Sequence, residues 1–186
     1  MYRALLLLFS TVGVWTGGTY VDPDRSFELK VPAGYRVRTG TGAEKASDSY
    51  IPVCHPESSV CFEYPAGRYR GTTFGSASVE VFVSPAITKE DCVDPAEEVD
   101  RSGPMRQIDH IEFTHTRGGG AAMSHDVEFD RYWGFHNGTC FELAAAVTYT
   151  NLAVYDPGAI KEFTQRDKAK VADELKAILG SFRALR

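Results

Sequence analysis

The chain has 186 residues, of which 43% are hydrophobic and 24% are charged, so it can form one domain with a buried core and does not have the composition of a disordered protein. Its formal net charge of −5 excludes the broad basic surface that drives nucleic-acid binding, so we expect no nucleic acid among its partners. No internal repeat, low-complexity segment or linker divides the sequence. We predict a single domain over residues 19–186 and expect a monomer.

The first 18 residues, MYRALLLLFSTVGVWTGG, have the pattern of a signal peptide, because Arg3 precedes an apolar run from Ala4 to Trp15 that ends in small residues. A membrane-spanning helix needs roughly 20 apolar residues, which is more than this run contains. We therefore predict a signal peptide over residues 1–18, no membrane span, and a secreted or periplasmic protein. The alternative interpretation is a buried N-terminal helix.

Short apolar or alternating runs, separated by turns rich in Gly and Pro, predict a β-sheet. The predicted strands are Thr19–Asp22, Ser26–Val31, Ser49–His55, Val60–Tyr64, Gly75–Ser84, Gln107–Thr116, Ala121–Phe135 and Thr139–Thr150. In Gly75–Ser84 the odd positions from Ala77 to Val83 are apolar, and the alternation indicates a strand with one buried face.

The four cysteines form no Cys-x-x-Cys motif, and in an exported protein they predict two disulfide bonds. Four cysteines allow three pairings. The segment YIPVCHPESSVCFEYP is typical of two short strands around a turn, which places Cys54 beside Cys61 and leaves Cys92 to pair with Cys140. We predict these two bonds and no reactive thiol.

The loop over residues 64–74, YPAGRYRGTTF, combines arginine, aromatic and threonine side chains that suit an anion or a partner peptide. The side chains predicted to bind a ligand are Arg68, Tyr69, Arg70, Thr72 and Thr73. The alternative is a solvated loop with no ligand.

The segment YWGFHNGTCFEL predicts a hairpin. Apolar side chains occupy odd positions on both of its strands, and only a turn with an odd number of residues keeps both sets on one face. We therefore predict a three-residue turn, His136-Asn137-Gly138, which places Trp133 opposite Phe141 and Arg131 opposite Leu143.

The other face of this hairpin is acidic in that register, and it carries Asp126, Glu128, Asp130 and Glu142. Clustered carboxylate oxygens suit a hard cation, so these four residues are candidate ligands of a weak calcium or manganese site, and we expect no other cofactor. The alternative is a solvated sheet face, or one covered by a helix, because side chains two residues apart on a strand stand widely spaced for one ion.

The sequence contains five histidines: His55, His110, His115, His125 and His136. None has the His-x-x-x-His spacing of a zinc site, so such a site requires unrelated strands to converge. No Gly-x-Ser-x-Gly, P-loop or dinucleotide-binding motif occurs. The sequence therefore favours a non-catalytic protein, and the alternative is a small hydrolase or metal-dependent enzyme that uses His125 and Asp126.

Apolar residues recur at helical spacing from Asp156 to Leu179, with Asp156-Pro157 as a cap and Gly180 as a stop. We predict a helix over this range that packs on the sheet through Ile160, Phe163, Val171, Leu175, Ile178 and Leu179. The sheet face expected beneath it carries Phe129, Trp133, Leu143 and Val147.

Three phrases, YRGTTFGSASVEV, FHNGTCFELAAAVTYTN and the later ILGSFRAL, resemble those of uncharacterised exported bacterial proteins related to the PsbP-like fold, which is named for an extrinsic protein of the oxygen-evolving photosystem. The resemblance covers most of the chain after residue 18. It implies an α+β fold, with an antiparallel sheet flanked by helices in an α/β/α sandwich, and a non-catalytic binding or assembly factor. It transfers no site residue to this chain. We therefore expect an exported binding or assembly module with a protein or small-molecule partner.

Overall fold

The computed structural model of the protein describes residues 13–39, 54–85, 88–93 and 105–185. These residues contain two α-helices, α1 (Lys89–Val93) and α2 (Gln165–Leu179). Their strands are β1 Gly13–Val14, β2 Gly18–Val21, β3 Phe27–Val31, β4 Arg36–Thr39, β5 Val60–Glu63, β6 Phe74–Pro85, β7 Arg106–Ile108, β8 Ile111–Ala122, β9 His125–His136, β10 Thr139–Thr150 and β11 Arg183–Ala184.

Eight strands form one antiparallel sheet in the order β1-β4-β5-β6-β10-β9-β8-β7. Its centre consists of β6, β8, β9 and β10, each twelve residues long. The strands β8, β9 and β10 follow one another along the chain and pair as neighbours, whereas β6 reaches β10 across the intervening sequence. A second, three-stranded antiparallel sheet places β3 between β2 and β11.

The helix α2 starts at a capping box. The Thr164 hydroxyl accepts a hydrogen bond from the backbone N–H of Asp167, and the Asp167 carboxylate accepts one from the backbone N–H of Thr164. The helix ends at Gly180, as predicted. The predicted start at Asp156 is wrong, because the capping box satisfies the first free N–H groups of the helix only at Thr164.

Four side chains of α2 form the helix side of the core: Val171, Leu175, Ile178 and Leu179, each at most 2% exposed. They pack on the face of the large sheet that carries Phe141, Leu143 and Val147, which are also buried. Phe182 follows the helix, and its ring contacts Phe27 of the small sheet and Phe141 of the large one. The core therefore lies between the large sheet on one side and α2 with the small sheet on the other.

The α/β/α sandwich implied by the PsbP-like resemblance is wrong. Among the described residues α2 is the one helix of several turns, and it covers a single face of the large sheet, whereas α1 has five residues. The protein is a β-rich fold built on a mostly antiparallel sheet. The physical reason is the content of β-branched and aromatic residues in its four long strands, which favours extended backbone over helix.

The hairpin between β9 and β10 has a two-residue turn, Asn137-Gly138, with φ angles of 48° and 76°. Positive φ at both positions is typical of a type I′ turn. The turn places Trp133 opposite Glu142. The predicted three-residue turn is therefore wrong, as is the predicted pairing of Trp133 with Phe141, and every predicted pair of this hairpin shifts by one residue. The prediction failed because it placed both apolar sets on one face, whereas Phe129 and Trp133 of β9 lie on the opposite face of the sheet from Leu143 and Val147 of β10 and so do not lie beneath α2.

Two disulfide bonds join Cys54 to Cys61 and Cys92 to Cys140, with Cα–Cα distances of 5.7 and 5.5 Å. This is the predicted pairing, and it uses all four cysteines of the chain. The second bond ties α1 to β10 on the sheet face that α2 does not cover. Disulfide bonds persist in oxidising compartments, so both are consistent with an exported protein.

Trp15 belongs to the folded domain. Its indole N–H donates a hydrogen bond to the carbonyl of Val31 at 3.1 Å, and its ring lies edge-on to Tyr20 and Phe62. A leader that ended at residue 18 would remove these contacts. Residues 1–12 of the predicted signal peptide lie outside the described residues, as do residues 49–53 of the predicted strand Ser49–His55. None of the described helices has the length and hydropathy needed to cross a membrane.

Candidate functional site

An open groove of about 180 Å³ lies between the first half of α2 and the adjacent face of β8, β9 and β10. Its floor is apolar and consists of Ala145 and Val147 from β10 and Ala172 and Leu175 from α2. The alanines are too short to fill the space between helix and sheet. Because a cavity of about 150 Å³ can hold benzene, the groove has room for a molecule of that size or slightly larger.

Asp130 is the most deeply buried charge of the groove, with its side chain 10% exposed. Its Oδ1 lies 2.7 Å from Nε2 of His115 on β8, and the His115 ring stacks on Tyr132. This hydrogen bond satisfies the buried carboxylate. The other ring nitrogen of His115, Nδ1, is buried, so the histidine positions Asp130 and presents no exposed ring nitrogen to a ligand.

Glu128 and Lys168 face each other across the groove through Tyr149. The Tyr149 hydroxyl donates a hydrogen bond to Glu128 at 2.8 Å, and the Lys168 ammonium lies 3.3 Å from the centre of the Tyr149 ring. Burial, followed by the hydrogen bond to Glu128, raises the pKa of Tyr149 above its ordinary value. The hydroxyl therefore stays protonated and keeps Glu128 as its acceptor.

Cations at the groove lie near carboxylates without forming short hydrogen bonds to them. The distances are 3.9 Å from Arg117 to Asp130, 3.7 Å from Lys176 to Asp130 and 3.8 Å from Lys168 to Glu128. An N–H···O hydrogen bond is usually no longer than about 3.2 Å. Because the two carboxylates receive their short bonds from a histidine and a tyrosine, the cations keep N–H groups that an added anion can bind.

The four carboxylates predicted as cation ligands do not come together. Asp126, Glu128 and Asp130 lie on the face that α2 covers, whereas Glu142 lies on the opposite face, since the two-residue turn shifts the pairing. Glu142 is 3.6 Å from Arg131, and burial raises its pKa above the ordinary value. In the part of the chain that the structure describes, no group of three or more His, Cys, Asp or Glu side chains has metal-binding geometry. The alternative to a cation site, a sheet face covered by a helix, is correct for Asp126, Glu128 and Asp130.

Arg68, predicted to bind a ligand, instead joins its loop to α2. It lies in a 3₁₀ turn, Ala66–Tyr69, and its guanidinium is 2.9 Å from the carboxylate of Glu174. The Tyr64 hydroxyl donates a hydrogen bond to the same carboxylate at 3.0 Å. The three side chains form one contact between the loop and the helix.

Three other predicted ligand residues also hold the loop in place. Tyr69 packs edge-on against Phe163, the Thr72 hydroxyl donates to the carbonyl of Tyr69 at 2.7 Å, and the buried Thr73 hydroxyl accepts from the backbone N–H of Phe163 at 3.0 Å. Arg70 is exposed. The loop is therefore packed on the domain by its own side chains, and both of its arginines are exposed, Arg68 while bonded to Glu174.

His125 and Asp126, the residues of the predicted enzymatic alternative, are neighbours on β9 and so lie on opposite faces of the sheet. His125 is exposed, and its Nδ1 lies 3.4 Å from the hydroxyl of Thr150. The structure does not bring the two residues together as a catalytic pair.

His115, Arg117 and Lys168 were not predicted as residues of a site. One signal was present, because Lys168 precedes Val171 by three residues and Leu175 by seven, which places a lysine on the apolar stripe of α2. A buried lysine needs an anionic or aromatic partner, and β9 supplies an anionic one. His115 and Arg117 can be recognised as neighbours of Asp130 only when the register of β8 on β9 is known.

No family model matches the chain, and no curated protein matches it. Among solved structures, it is similar to a protein of Bacteroides thetaiotaomicron VPI-5482 whose crystal structure was determined at 1.50 Å, with a TM-score of 0.47 and 11% sequence identity. The match covers 92% of this chain and 50% of the Bacteroides chain, so this chain spans half the length of the protein it matches. Similarity at this level does not establish a shared fold or function, and the comparisons lend no support to a PsbP-like relationship.

Proposed function

We propose that the protein is an exported, non-catalytic binding protein, and that the groove beside α2 binds a small organic carboxylate with an apolar body. The observation that carries this proposal is an apolar floor beside cations whose N–H groups make no short hydrogen bond to the nearby carboxylates. Val147 and Ala172 offer apolar contact to the body of the ligand, and Arg117 and Lys168 offer charged donors to its carboxylate.

The chemistry of the lining supports binding over hydrolysis. Among the described residues that line the groove there is no serine, threonine or cysteine to act as a nucleophile. The nearby histidine, His115, has one ring nitrogen bonded to Asp130 and the other buried. A general base must reach the proton that it removes, and this arrangement keeps both nitrogens away from a ligand.

The destination of the protein is part of the proposal. Two disulfide bonds support folding outside the cytosol, and we place the protein in the periplasm or outside the cell. Fractionation of expressing cells, followed by sequencing of the mature N-terminus, tests this; recovery of the full-length, reduced chain from the cytosol would contradict it.

Binding can be tested with sodium benzoate, whose ring and carboxylate match the floor and the cations of the groove. Titration followed by amide chemical-shift changes should show saturable shifts in residues of β10 and α2. Lys168→Gln should weaken binding by at least about tenfold, because it removes a charged donor worth about 1.5–3 kcal/mol. Lys170→Gln, on the exposed side of the same helix, is the matched control and should leave binding unchanged.

Two further measurements separate charge from shape. Benzyl alcohol has the same ring without the carboxylate, so it should bind at least about tenfold more weakly than benzoate. Ala172→Leu fills the floor of the groove and should prevent binding while the far-ultraviolet circular dichroism stays unchanged. Equal affinity for the two ligands, or unchanged benzoate shifts in Ala172→Leu, would show that the groove is not the site.

A further inference from the structure

Two turns at one end of the large sheet bring His110 and His136 into contact. His110 lies in the turn between β7 and β8, and His136 ends β9. The strands β8 and β9 are antiparallel neighbours, and Phe113 pairs with Gly134. Two residues beyond this pair, β8 begins at Ile111 and β9 ends at His136, so the two turns lie at the same end of the sheet. The Nε2 atoms of the two histidines are 3.2 Å apart, with the rings at 75° to each other.

This separation fits two ligands of one metal ion. With metal–nitrogen bonds of about 2.0–2.1 Å, two nitrogens 3.2 Å apart subtend an angle of about 100° at the metal. That angle lies between the square-planar and tetrahedral values. We propose that His110 and His136 form a binding site for a divalent transition-metal ion that favours imidazole ligands, Zn²⁺ or Cu²⁺.

Asp109 prepares His110 for this role. Its Oδ2 lies 2.9 Å from Nδ1 of His110, and a carboxylate at that position holds the ring proton on Nδ1 and leaves the lone pair of Nε2 free for a metal. Asp109 has a φ of 54°, a left-handed conformation that the tight turn imposes, and it lies 3.6 Å from Arg183. The turn and the arginine therefore fix the carboxylate, and the carboxylate fixes the ring.

Asn137 supplies a third polar group. Its side-chain amide lies 3.0 Å from Nε2 of His136, and a half-turn of the amide about its Cβ–Cγ bond exchanges nitrogen for oxygen at that position. Two imidazoles and an amide oxygen leave the remaining positions of the metal to water. The His110 side chain is 55% exposed, so an ion can reach the site from solvent.

The site differs from the predicted calcium or manganese site in place and in chemistry. It uses nitrogen ligands at the turn end of the sheet, and none of the four predicted carboxylates takes part. It is also independent of the groove, which lies between α2 and the sheet. Benzoate binding and metal binding can therefore fail or succeed separately.

The test uses the full chain without a histidine tag, titrated with zinc chloride in a calorimeter. We expect one saturable site in the native protein and at least about tenfold weaker binding in His110→Gln and in His136→Gln. Asp109→Asn keeps a residue that tolerates positive φ but removes the charge, and we expect a loss of about tenfold. His125→Gln, at the opposite end of β9, is the matched control and should bind zinc as the native protein does.

A second readout identifies the ligands directly. With one equivalent of copper sulfate, electron paramagnetic resonance should show hyperfine coupling to two nitrogens in the native protein and in His125→Gln, and to fewer in His136→Gln. Melting temperatures without metal confirm that each variant is folded. If zinc binds His110→Gln and His136→Gln as tightly as it binds His125→Gln, the two rings share a proton instead of a metal, and the proposal is wrong.

Discussion

The guanidinium of Arg68 lies 2.9 Å from both carboxylate oxygens of Glu174 and so connects the 3₁₀ turn after β5 to the middle of α2. The ring of Tyr64 lies beneath the same guanidinium, 5.3 Å from it, while its hydroxyl bonds to Glu174. A loop whose composition predicted ligand binding is therefore attached to the domain by one of its charged residues.

The contribution of this contact is measurable. Arg68→Ala should lower the free energy of unfolding by about 0.5–1 kcal/mol, and no more, because the arginine side chain is 47% exposed and solvent screens the ion pair. Arg70→Ala removes the same side chain from an exposed position two residues away and should have no effect. Urea denaturation measures the free energy of unfolding of both variants. Equal changes in Arg68→Ala and Arg70→Ala would show that the contact of Arg68 with Glu174 does not stabilise the protein.

Leu175 tests the packing of α2 on the sheet. It is 1% exposed, so Leu175→Ala should lower the free energy of unfolding by about 2–5 kcal/mol through lost burial and a residual cavity. Leu152 is 41% exposed, and the same substitution there serves as the control, with a change of less than about 0.5 kcal/mol. A small effect at Leu175 would mean that α2 does not cover the core.

Gly134 tests how closely β9 approaches the ring of Phe113. A methyl group at Gly134 would lie 2.6 to 2.8 Å from carbons of that ring, which belongs to the neighbouring strand β8 and lies over the glycine. Gly134→Ala should therefore destabilise the protein by about 1–3 kcal/mol through overpacking.

The matched control for Gly134 is Gly120 on β8, where the nearest atom to an added methyl group is 3.9 Å away, on Val127. Gly120→Ala should be neutral or slightly stabilising, because it lowers the entropy of the unfolded chain without a clash. Thermal unfolding of the two variants gives the comparison. Tolerance of alanine at position 134 would show that the Phe113 ring lies elsewhere.

His55 predicts a pH dependence of stability. Its Nδ1 lies 3.0 Å from the buried carboxylate of Glu80, and this hydrogen bond raises the pKa of His55 above 6.5, although burial opposes the shift in part. The pair therefore contributes its full stability below the unfolded-state pKa of 6.5, and the contribution is lost as the pH rises through the higher pKa of the folded protein.

The measurement is the difference in free energy of unfolding between the native protein and His55→Gln at two pH values. We expect a larger difference at about pH 5.5 than at about pH 8.5, because only the protonated ring forms an ion pair with Glu80. His125→Gln is the control, since that exposed ring contacts a threonine hydroxyl. A difference that does not change with pH would show that His55 has the same pKa in the folded and unfolded protein.

Much of the secondary structure follows from local patterns, and the errors have local causes. The predicted strand Gln107–Thr116 is two strands, β7 and β8, because Asp109 adopts a left-handed conformation that the alternation of side chains does not reveal. The strand β4, Arg36–Thr39, was not predicted, because two of its four residues are arginines and it lacks the apolar run that indicates a strand. The start of α2 was predictable, since Thr164 and Asp167 stand at the spacing of a capping box.

The candidate site was not predictable in the same way, because it depends on the alignment of distant segments. One residue of error at Asn137-Gly138 placed Asp126 and Glu128 on the wrong face and so concealed their proximity to α2. The contact of His110 with His136 joins residues 26 positions apart and needs the register of β8 on β9. Such pairs carry no spacing signal in a single sequence.

The small sheet of β2, β3 and β11 joins the two ends of the described chain, since Arg183 pairs with Glu28 and Ala184 with Phe27. The strands β8, β9 and β10 are consecutive and close short loops, whereas this pairing closes a loop of most of the chain and has a larger entropic cost. We therefore expect the C-terminal meander to form early in folding and the small sheet to form last. Residues 27–31, although synthesised early, must wait for residues 183–184 before β3 has both of its neighbours, so the fold cannot be completed before residues 183–184 have left the ribosome.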